Sequence, residues 1–293
     1  METDVTALRE RTIEKILAAQ DSAGRWGYDP KQAREQPQYL YYSPNYRSTL
    51  WTLVLLADLQ APPDLPQARP ALEWVCGQFY DSQHGIFRLP QESHFPIPCL
   101  NGNMLYLLHY FETARPEIVE PTVSFFAAYQ RFDDGGFKTP AAYPYGSNKS
   151  CYGSHTCYWG ATKLLKGLSF IPGPRRSADA RRLLEACIEF VLRHEVCFGS
   201  RHPERLLHRD SGLLAFPNFY KSDFLELLWL LAREGVRDRR LERALDLLRS
   251  RRSPDGGWAA DKSLNTVVST GQKGSPNPFL TERAGAVLAF YGD

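Results

Sequence analysis

The sequence predicts an all-α protein in which about five helical hairpins close into a double ring. Three observations predict it: a glycine-aromatic turn that recurs along the chain, paired helices of contrasting hydrophobicity, and the lack of alternating apolar and polar runs typical of strands. The chain has 293 residues, of which 43% are hydrophobic and 23% charged, as in a soluble globular protein. We expect a single domain over residues 1–293.

The recurring turn contains a glycine and ends in an aromatic residue one or two positions later. It occurs at Trp26, Phe87, Phe137 and Trp258, and a degenerate copy fits at Val196-Cys197-Phe198. These positions divide the chain into units of about 50 to 61 residues. A glycine here predicts a helix that ends in the left-handed conformation, with the aromatic ring packed over the helix end.

The helices on the two sides of each turn differ in character. The helix before a turn is amphipathic, and residues 180–192 show the clearest apolar stripe. The helix after a turn is apolar almost all round, as in residues 50–56, 104–108 and 224–231. A helix covered on all sides needs no polar face, so this alternation predicts an inner ring of helices inside an outer ring. Residues 27–45, 138–153 and 259–276 are expected to form loops.

Charge and targeting signals exclude some classes of protein. The 35 basic and 33 acidic residues give a net charge of +2, which makes no case for nucleic-acid binding. Basic residues gather between Arg175 and Arg252, as solvated helix faces or as a docking site for an anionic group. The apolar stretch 50–59 is broken by Asp58 and too short to span a membrane. The N-terminus lacks an apolar signal region, so a cytoplasmic location is expected.

Polar residues precede or begin the helices of the inner ring in all five units. Because they share one position in the repeat, they are expected to line one cavity. They are Tyr46 and Thr49; Cys99, Asn101 and Asn103; Cys151, His155 and Cys157; Tyr220 and Asp223; and Thr281, Glu282 and Arg283.

The strongest local motif is Cys151-x3-His155-x-Cys157. Thiolate and imidazole are preferred zinc ligands, and in a cytoplasmic chain clustered cysteines are metal ligands more often than disulfides. With Cys99 from the preceding inner helix, these residues predict a zinc site. The alternative is that Cys157 is a small core residue and His155 a capping residue. Cys76 and Cys187, on apolar helix faces, are expected to be core thiols.

The Gln…Asp-Gly-Gly-Trp/Phe turns resemble those of the terpenoid cyclase and protein prenyltransferase superfamily, whose fold is the α/α toroid. Cys151-Tyr-Gly-Ser-His155-Thr-Cys157 is also similar to a group of small bacterial proteins with prenyltransferase-type repeats. The resemblance implies a zinc held by Asp, Cys and His at the mouth of the ring. The Asp-x-Cys pair of those enzymes is missing here. Asp223, near the start of an inner helix, is the candidate carboxylate ligand. The alternative is that Asp223 is a favourable charge in the first turn of that helix.

Together these features predict a zinc-dependent enzyme that acts on a hydrophobic, isoprenoid substrate, by prenyl transfer or terpenoid cyclisation. A zinc-thiolate cyclase of peptides and a non-catalytic binding module with a structural zinc are the alternatives. The predicted catalytic residues are Asp223, His155 and Tyr220. The predicted substrate-binding residues are Tyr46, Asn103, Tyr158, Trp159, Phe279 and Arg283. The aromatic members could equally fill the centre of the ring as core. A protein partner cannot be inferred from the sequence.

Overall fold

The computed structural model describes residues 5–35, 47–89, 95–136, 138–146, 149–262, 267–271 and 274–292. These residues are mostly helical, which confirms the predicted all-α class of α/α toroid type. They divide into two compact units, residues 20–187 and residues 1–19 with 188–293. That residues 1–293 act as one domain stays a prediction. Tyr46 and Phe137 lie outside the described residues.

The unit of residues 20–187 contains most of the helices. They are α2 (Pro30–Glu35), α3 (Thr49–Asp58), α4 (Ala68–Phe79), α5 (Pro98–Tyr110), α6 (Pro116–Tyr129), α7 (Lys149–Tyr152), α8 (Tyr158–Ser169) and the first part of α9 (Ala178–Arg193). The other unit contains α1 (Val5–Leu17), the rest of α9, α10 (Phe224–Arg233), α11 (Glu242–Ser250) and α12 (Pro278–Tyr291). None of the helices in the described part of the chain is long and apolar enough to cross a bilayer.

The contrast between apolar and amphipathic helices is confirmed. Every residue of α3 is buried, whereas α4, the next helix, buries only one side. In the second unit, α11 is likewise amphipathic. It buries Ala244, Leu245 and Leu248 and exposes Glu242, Arg243 and Asp246. An apolar side chain stabilises the fold only when it is removed from water, so a helix covered on all sides is apolar all round and a half-covered helix is apolar on one side.

Helices α5 and α8 pack at unusually short range because glycines face each other across their contact. A Cβ atom added at Gly102 would lie 2.2 Å from the carbonyl oxygen of Lys163, and one at Gly167 would lie 2.5 Å from the carbonyl oxygen of Gly102. Nearer the helix starts, a Cβ at Gly160 would lie 2.8 Å from the Cβ of Pro98. The N-terminal ends of α5 and α8 therefore lie side by side.

The glycines of the recurring turns are left-handed as predicted, but they lie six or seven residues after the preceding helix and do not end it. Gly24, Gly85, Gly136 and Gly256 all have φ between 67° and 83°, the left-handed region that favours glycine. The degenerate turn lacks a glycine, and there Val196 takes a φ of 71°. A β-branched residue is strained in this region, so the surrounding contacts must hold the turn in place.

Local structure differs from the prediction in three places. Two of the expected loops contain short helices, α2 and α7. The turn after α4 pairs two short strands, β1 (Tyr80–Asp81) and β2 (Ile86–Phe87), in antiparallel register. Strands of two residues leave no alternating pattern to detect, which is why the sequence did not reveal them.

Candidate functional site

The polar residues that share a repeat position largely fix the turns. The backbone N–H of Trp26 donates to Thr49 Oγ1 at 3.1 Å, that of Phe87 to Asn101 Oδ1 at 2.8 Å, and that of Trp258 to Thr281 Oγ1 at 3.1 Å. Each bond joins the aromatic residue of a turn to the first residues of the next inner helix. The shared position therefore has a structural cause, and it does not by itself imply a common cavity.

Asp223 has the contacts of a helix cap. Its Oδ1 accepts the N–H of Glu226 at 2.8 Å, and its Oδ2 accepts the N–H of Ala215 at 2.8 Å. Burial raises the pKa of its carboxyl group, and these backbone bonds oppose the rise. This is the alternative that the sequence left open for Asp223. A catalytic or metal-binding role for it stays a prediction.

The other predicted residues of that unit lie in a polar and aromatic layer. Phe279 is buried and stacks on Phe216 with ring centroids 4.9 Å apart. Arg283 donates to Asn218 Oδ1 at 3.2 Å. The ammonium of Lys221 lies 5.6 Å from the ring centroid of Tyr220. These contacts are those of packed side chains and leave the predicted roles of Tyr220, Phe279 and Arg283 untested.

In the unit of residues 20–187, three of the predicted thiols lie in one region, although they are not placed to hold a metal ion together. Cys99 is the second residue of α5, Cys157 is the residue before α8, and the adjoining helix starts place both in one region. Cys151, in α7, donates its S–H to the sulfur of Cys157 and feels the charge of Cys99. All six cysteines of the chain are free thiols, and Cys76 and Cys187 are buried as predicted.

The N-terminal end of α8 sets the chemistry of Cys157. The Cys151 thiol donates to it, and the N–H groups of Trp159 and Gly160 lie near its sulfur, although Cys157 makes no regular capping hydrogen bond. The Cys151 hydrogen bond, which outweighs the opposing effect of burial, lowers the pKa of Cys157 from 9.0 to about 7. The same hydrogen bond, followed by burial, raises the pKa of Cys151 far above its usual range. Of the two thiols, Cys157 is the one that ionises more easily.

A buried phenol lies beside the two cysteines. Tyr152 is 3% exposed, and its hydroxyl finds no hydrogen-bond partner among the described residues. Burial raises its pKa well above the usual value, and the charges of Cys151 and Cys157 add to that rise. The hydroxyl therefore stays neutral and can donate a hydrogen bond. A buried donor without a partner carries a free-energy cost, which a bound ligand could remove. Tyr152 is one of many aromatic residues in this part of the sequence, and the pattern alone does not single it out.

A surface groove follows the segment that links the two cysteines. Its volume is about 520 Å³, within the range of small-molecule sites. It is lined by Thr139, Pro140, Ala141, Tyr145, Gly146, Gly153 and Ser154. Tyr145 packs edge-on against Tyr152 with centroids 5.9 Å apart, so the groove wall and the buried phenol are in contact.

The other residues predicted for this region have different positions. The side chain of His155 is 61% exposed, and its Nδ1 lies 3.6 Å from Asp134 Oδ1. Asn103 is fully buried within α5, and Tyr158 is buried with its ring edge-on to Trp159. Across the described part of the chain, no three His, Cys, Asp or Glu side chains are placed to hold a metal ion. The donor set predicted for zinc is thus not assembled, and zinc stays a prediction.

Comparison with known proteins corrects the family. No family model and no curated protein matches the chain. A similar solved structure is described as a possible member of the GH105 family from Salmonella enterica subsp. enterica serovar Paratyphi A str. ATCC 9150. It shares 14% identity, with a TM-score of 0.41, over 98% of this chain and 93% of that chain. The predicted membership of the terpenoid cyclase and prenyltransferase superfamily was therefore wrong. Glycine-aromatic turns reflect how helical hairpins close, and they do not identify one family.

Proposed function

We propose that the protein is an enzyme that uses the Cys157 thiolate as a nucleophile. The observation that carries this proposal is the position of the Cys157 sulfur, at the start of a 12-residue helix and in hydrogen bond with the Cys151 thiol. A thiolate is the nucleophilic form of cysteine, and a helix N-terminus and a donor both favour it. Cys76, Cys187 and Cys197 have raised pKa values because they are buried, so they lack this property.

The substrate is proposed to bind in the groove beside α7, with an electrophilic carbon directed to Cys157. Gly153 and Ser154, which line the groove, and the hydroxyl of Tyr152, which has no hydrogen-bond partner in the described part of the chain, are the proposed hydrogen-bond donors to the substrate. Such donors stabilise an oxyanion that develops when a thiolate attacks a carbonyl carbon. The groove combines one aromatic wall with polar backbone, which suits a small, partly polar acyl compound. An isoprenoid substrate depended on the rejected family resemblance and is not proposed.

An activated ester such as p-nitrophenyl acetate tests the proposal. The thiolate attacks the ester carbonyl, p-nitrophenolate leaves, and water then hydrolyses the thioester. We expect wild-type protein to release p-nitrophenolate with an acyl group trapped on Cys157, as located by peptide mass spectrometry. Cys157→Ser should lower the rate by about 100-fold or more, the scale expected for loss of a nucleophile.

The matched control is Cys76→Ser, which removes a more deeply buried thiol whose pKa is raised to about 11. Its rate should equal that of the wild type, and circular dichroism should show that both variants fold. An unchanged rate in Cys157→Ser, or acylation of another residue instead, would contradict the proposed function.

A zinc-dependent form of this enzyme is the finer prediction from the sequence. The electrostatic influence of Cys99 and Cys157 on Cys151 supports it, whereas the exposed position of His155 and the lack, in the described part of the chain, of three side chains placed to hold a metal ion oppose it. Metal analysis of the purified protein tests it directly. One zinc per chain, lost in Cys151→Ala and Cys157→Ala, would make these thiols ligands in place of a free nucleophile.

A further inference from the structure

The unit of residues 1–19 and 188–293 has a groove of its own, between the end of α11 and α12. Its volume is about 520 Å³, within the range of small-molecule sites. Two arginines, Arg249 and Arg252, line it together with Gly285, Leu288 and Ala289 of α12. None of the described residues that line the groove is acidic. The groove therefore combines positive charge with an apolar wall.

Arg252 is held at this groove by neutral groups. Its Nε donates to the carbonyl oxygen of Gly256 at 3.2 Å, and its Cζ lies 5.5 Å from the ring centroid of Trp258. Trp258 is fixed in turn, because its Nε1 donates to the carbonyl oxygen of Leu248 at 2.8 Å. Arg252 forms no ion pair with the residues that the structure describes. Its terminal N–H groups can thus bind an oxyanion, whose paired oxygens match the planar guanidinium.

Arg249 adds a weaker positive charge to the groove. Its Nη1 lies 2.9 Å from Asp246 Oδ1 and 4.0 Å from Glu242 Oε2, so part of its charge is neutralised. Both carboxylates are largely exposed, and water screens such pairs. Recognition of an anion in this groove would therefore depend mainly on Arg252.

Gly285 keeps the groove open on the side of α12. A glycine inside a helix weakens it, and the glycines of α5 and α8 have a reason in the close contact of those helices. Gly285 has no such reason, because no atom lies within 4 Å of a Cβ added there. A larger side chain at this position would instead occupy the groove that Gly285 lines.

We propose that this groove binds a small organic anion, whose carboxylate or phosphate group pairs with Arg252 and whose apolar part lies against Gly285, Leu288 and Ala289. An ion pair with a guanidinium fixes the orientation of such a ligand, and contact with the wall of α12 removes its apolar part from water. The proposal is independent of the proposed function, because it uses no residue of the unit 20–187.

Isothermal titration calorimetry of the full-length protein with naphthoate tests the proposal. We expect saturable binding of one naphthoate per chain, at least about 10-fold tighter than that of naphthamide, the neutral analogue of the same shape. Naphthyl phosphate is compared with naphthoate, and the tighter of the two identifies the anionic group. Equal binding of naphthamide would overturn the proposal. So would binding of inorganic phosphate as tight as that of naphthoate, which would mean an adventitious ion only.

Two variants locate the ligand. Arg252→Gln should weaken naphthoate binding to the level of naphthamide. Gly285→Leu should abolish binding and yet raise the midpoint of thermal unfolding, because leucine is the better helix former. Gly77→Leu in α4, another helix position with no atom within 4 Å of an added Cβ, is the matched control. It should raise the midpoint and leave binding unchanged.

The gain in stability separates loss of the ligand site from loss of the fold. Naphthoate binding that persists unchanged in Arg252→Gln or in Gly285→Leu would place the ligand elsewhere and overturn the proposal. A wild-type protein that shows no saturable naphthoate binding would overturn it without recourse to any variant.

Discussion

At the scale of single residues, the two cysteines of the site differ by the direction of one hydrogen bond. Cys151 donates and keeps its proton, while Cys157 accepts and loses its proton more easily. The helix that starts after Cys157 strengthens this difference, since its first N–H groups carry partial positive charge. The two cysteines, six positions apart, thus have opposite roles: Cys151 donates the hydrogen bond and Cys157 accepts it.

The pH dependence of alkylation measures this difference. The pKa of Cys157 is lowered from 9.0 to about 7, so its thiolate fraction rises as pH increases through 7 and is nearly complete by pH 9. We expect the rate of Cys157 alkylation by iodoacetamide to reach half its maximum near pH 7. In Cys151→Ala the donor is lost, and the midpoint should move up towards the ordinary value. A wild-type midpoint at or above pH 9 would show that the hydrogen bond does not operate in solution.

A second residue-scale feature is a buried ion pair in the same unit. Lys166 Nζ lies 2.7 Å from Asp58 Oδ1, which also accepts the hydroxyl of Tyr106 at 3.1 Å, and the side chains of both charged residues are at most 1% exposed. Removing one partner leaves a buried charge without compensation, which costs about 3–5 kcal/mol. Lys166→Met should lower the free energy of unfolding by that amount in urea denaturation.

The double variant Asp58→Asn/Lys166→Met is the informative control for this pair. It removes both charges, so no ion is left buried, and it should be clearly more stable than Lys166→Met alone. If the double variant is less stable than Lys166→Met, the unpaired Asp58 carboxylate is not the cause of the stability lost in Lys166→Met.

At the scale of elements, the site depends on how closely α5 and α8 approach. Glycines at their contact permit this approach, and it brings the starts of the two helices together with Cys99 and Cys157. The sequence predicted both helices and the thiols on them. It did not predict the glycine contact, because a glycine in a helix pattern signals only a weak local preference and not the partner that faces it.

Gly102→Ala tests the contact between these helices. The new methyl group would fall 2.2 Å from the Lys163 carbonyl oxygen, so one helix must shift, at a cost of about 1–3 kcal/mol for overpacking. Gly77→Ala in α4 is the matched control, since no atom lies within 4 Å of its added Cβ. There the better helix propensity of alanine should raise stability by about 0.5–1 kcal/mol. The midpoint of thermal unfolding, followed by circular dichroism, should fall in Gly102→Ala and rise in Gly77→Ala. Equal shifts in the two variants would contradict the close contact between α5 and α8.

At the scale of the whole molecule, the fold was predictable and the site only partly so. Turns such as those ending at Trp26 and Trp258 repeat, and repetition exposes a pattern that a single turn would hide. The contacts between particular side chains do not repeat from one unit of the sequence to the next. His155 and Cys157 are two residues apart, yet one is exposed beside Asp134 and the other is in hydrogen bond with Cys151. Spacing along the chain does not determine such contacts, which arise only when distant segments meet.

The unit of residues 1–19 and 188–293 makes its own prediction, on acid stability. Asp210 Oδ2 lies 2.9 Å from Lys221 Nζ and 3.0 Å from Lys262 Nζ, which joins two loops of that unit. The hydrogen bond from Lys221, with that from Lys262, lowers the pKa of Asp210 from 3.8 to about 2. Because the folded pKa lies below the unfolded one, the stabilisation is complete above pH 4 and is lost as pH falls through 2.

Asp210→Asn should therefore lower the free energy of unfolding at pH 7 by about 1 kcal/mol, the upper range for partly exposed ion pairs. Its stability should also fall less than that of the wild type between pH 4 and pH 2, as measured by urea midpoints across that range. Asp255→Asn is the control, because this acidic residue of the same unit forms no ion pair with the residues that the structure describes. Parallel pH profiles for wild type and Asp210→Asn would mean that Lys221 and Lys262 do not stabilise the ionised carboxylate in solution.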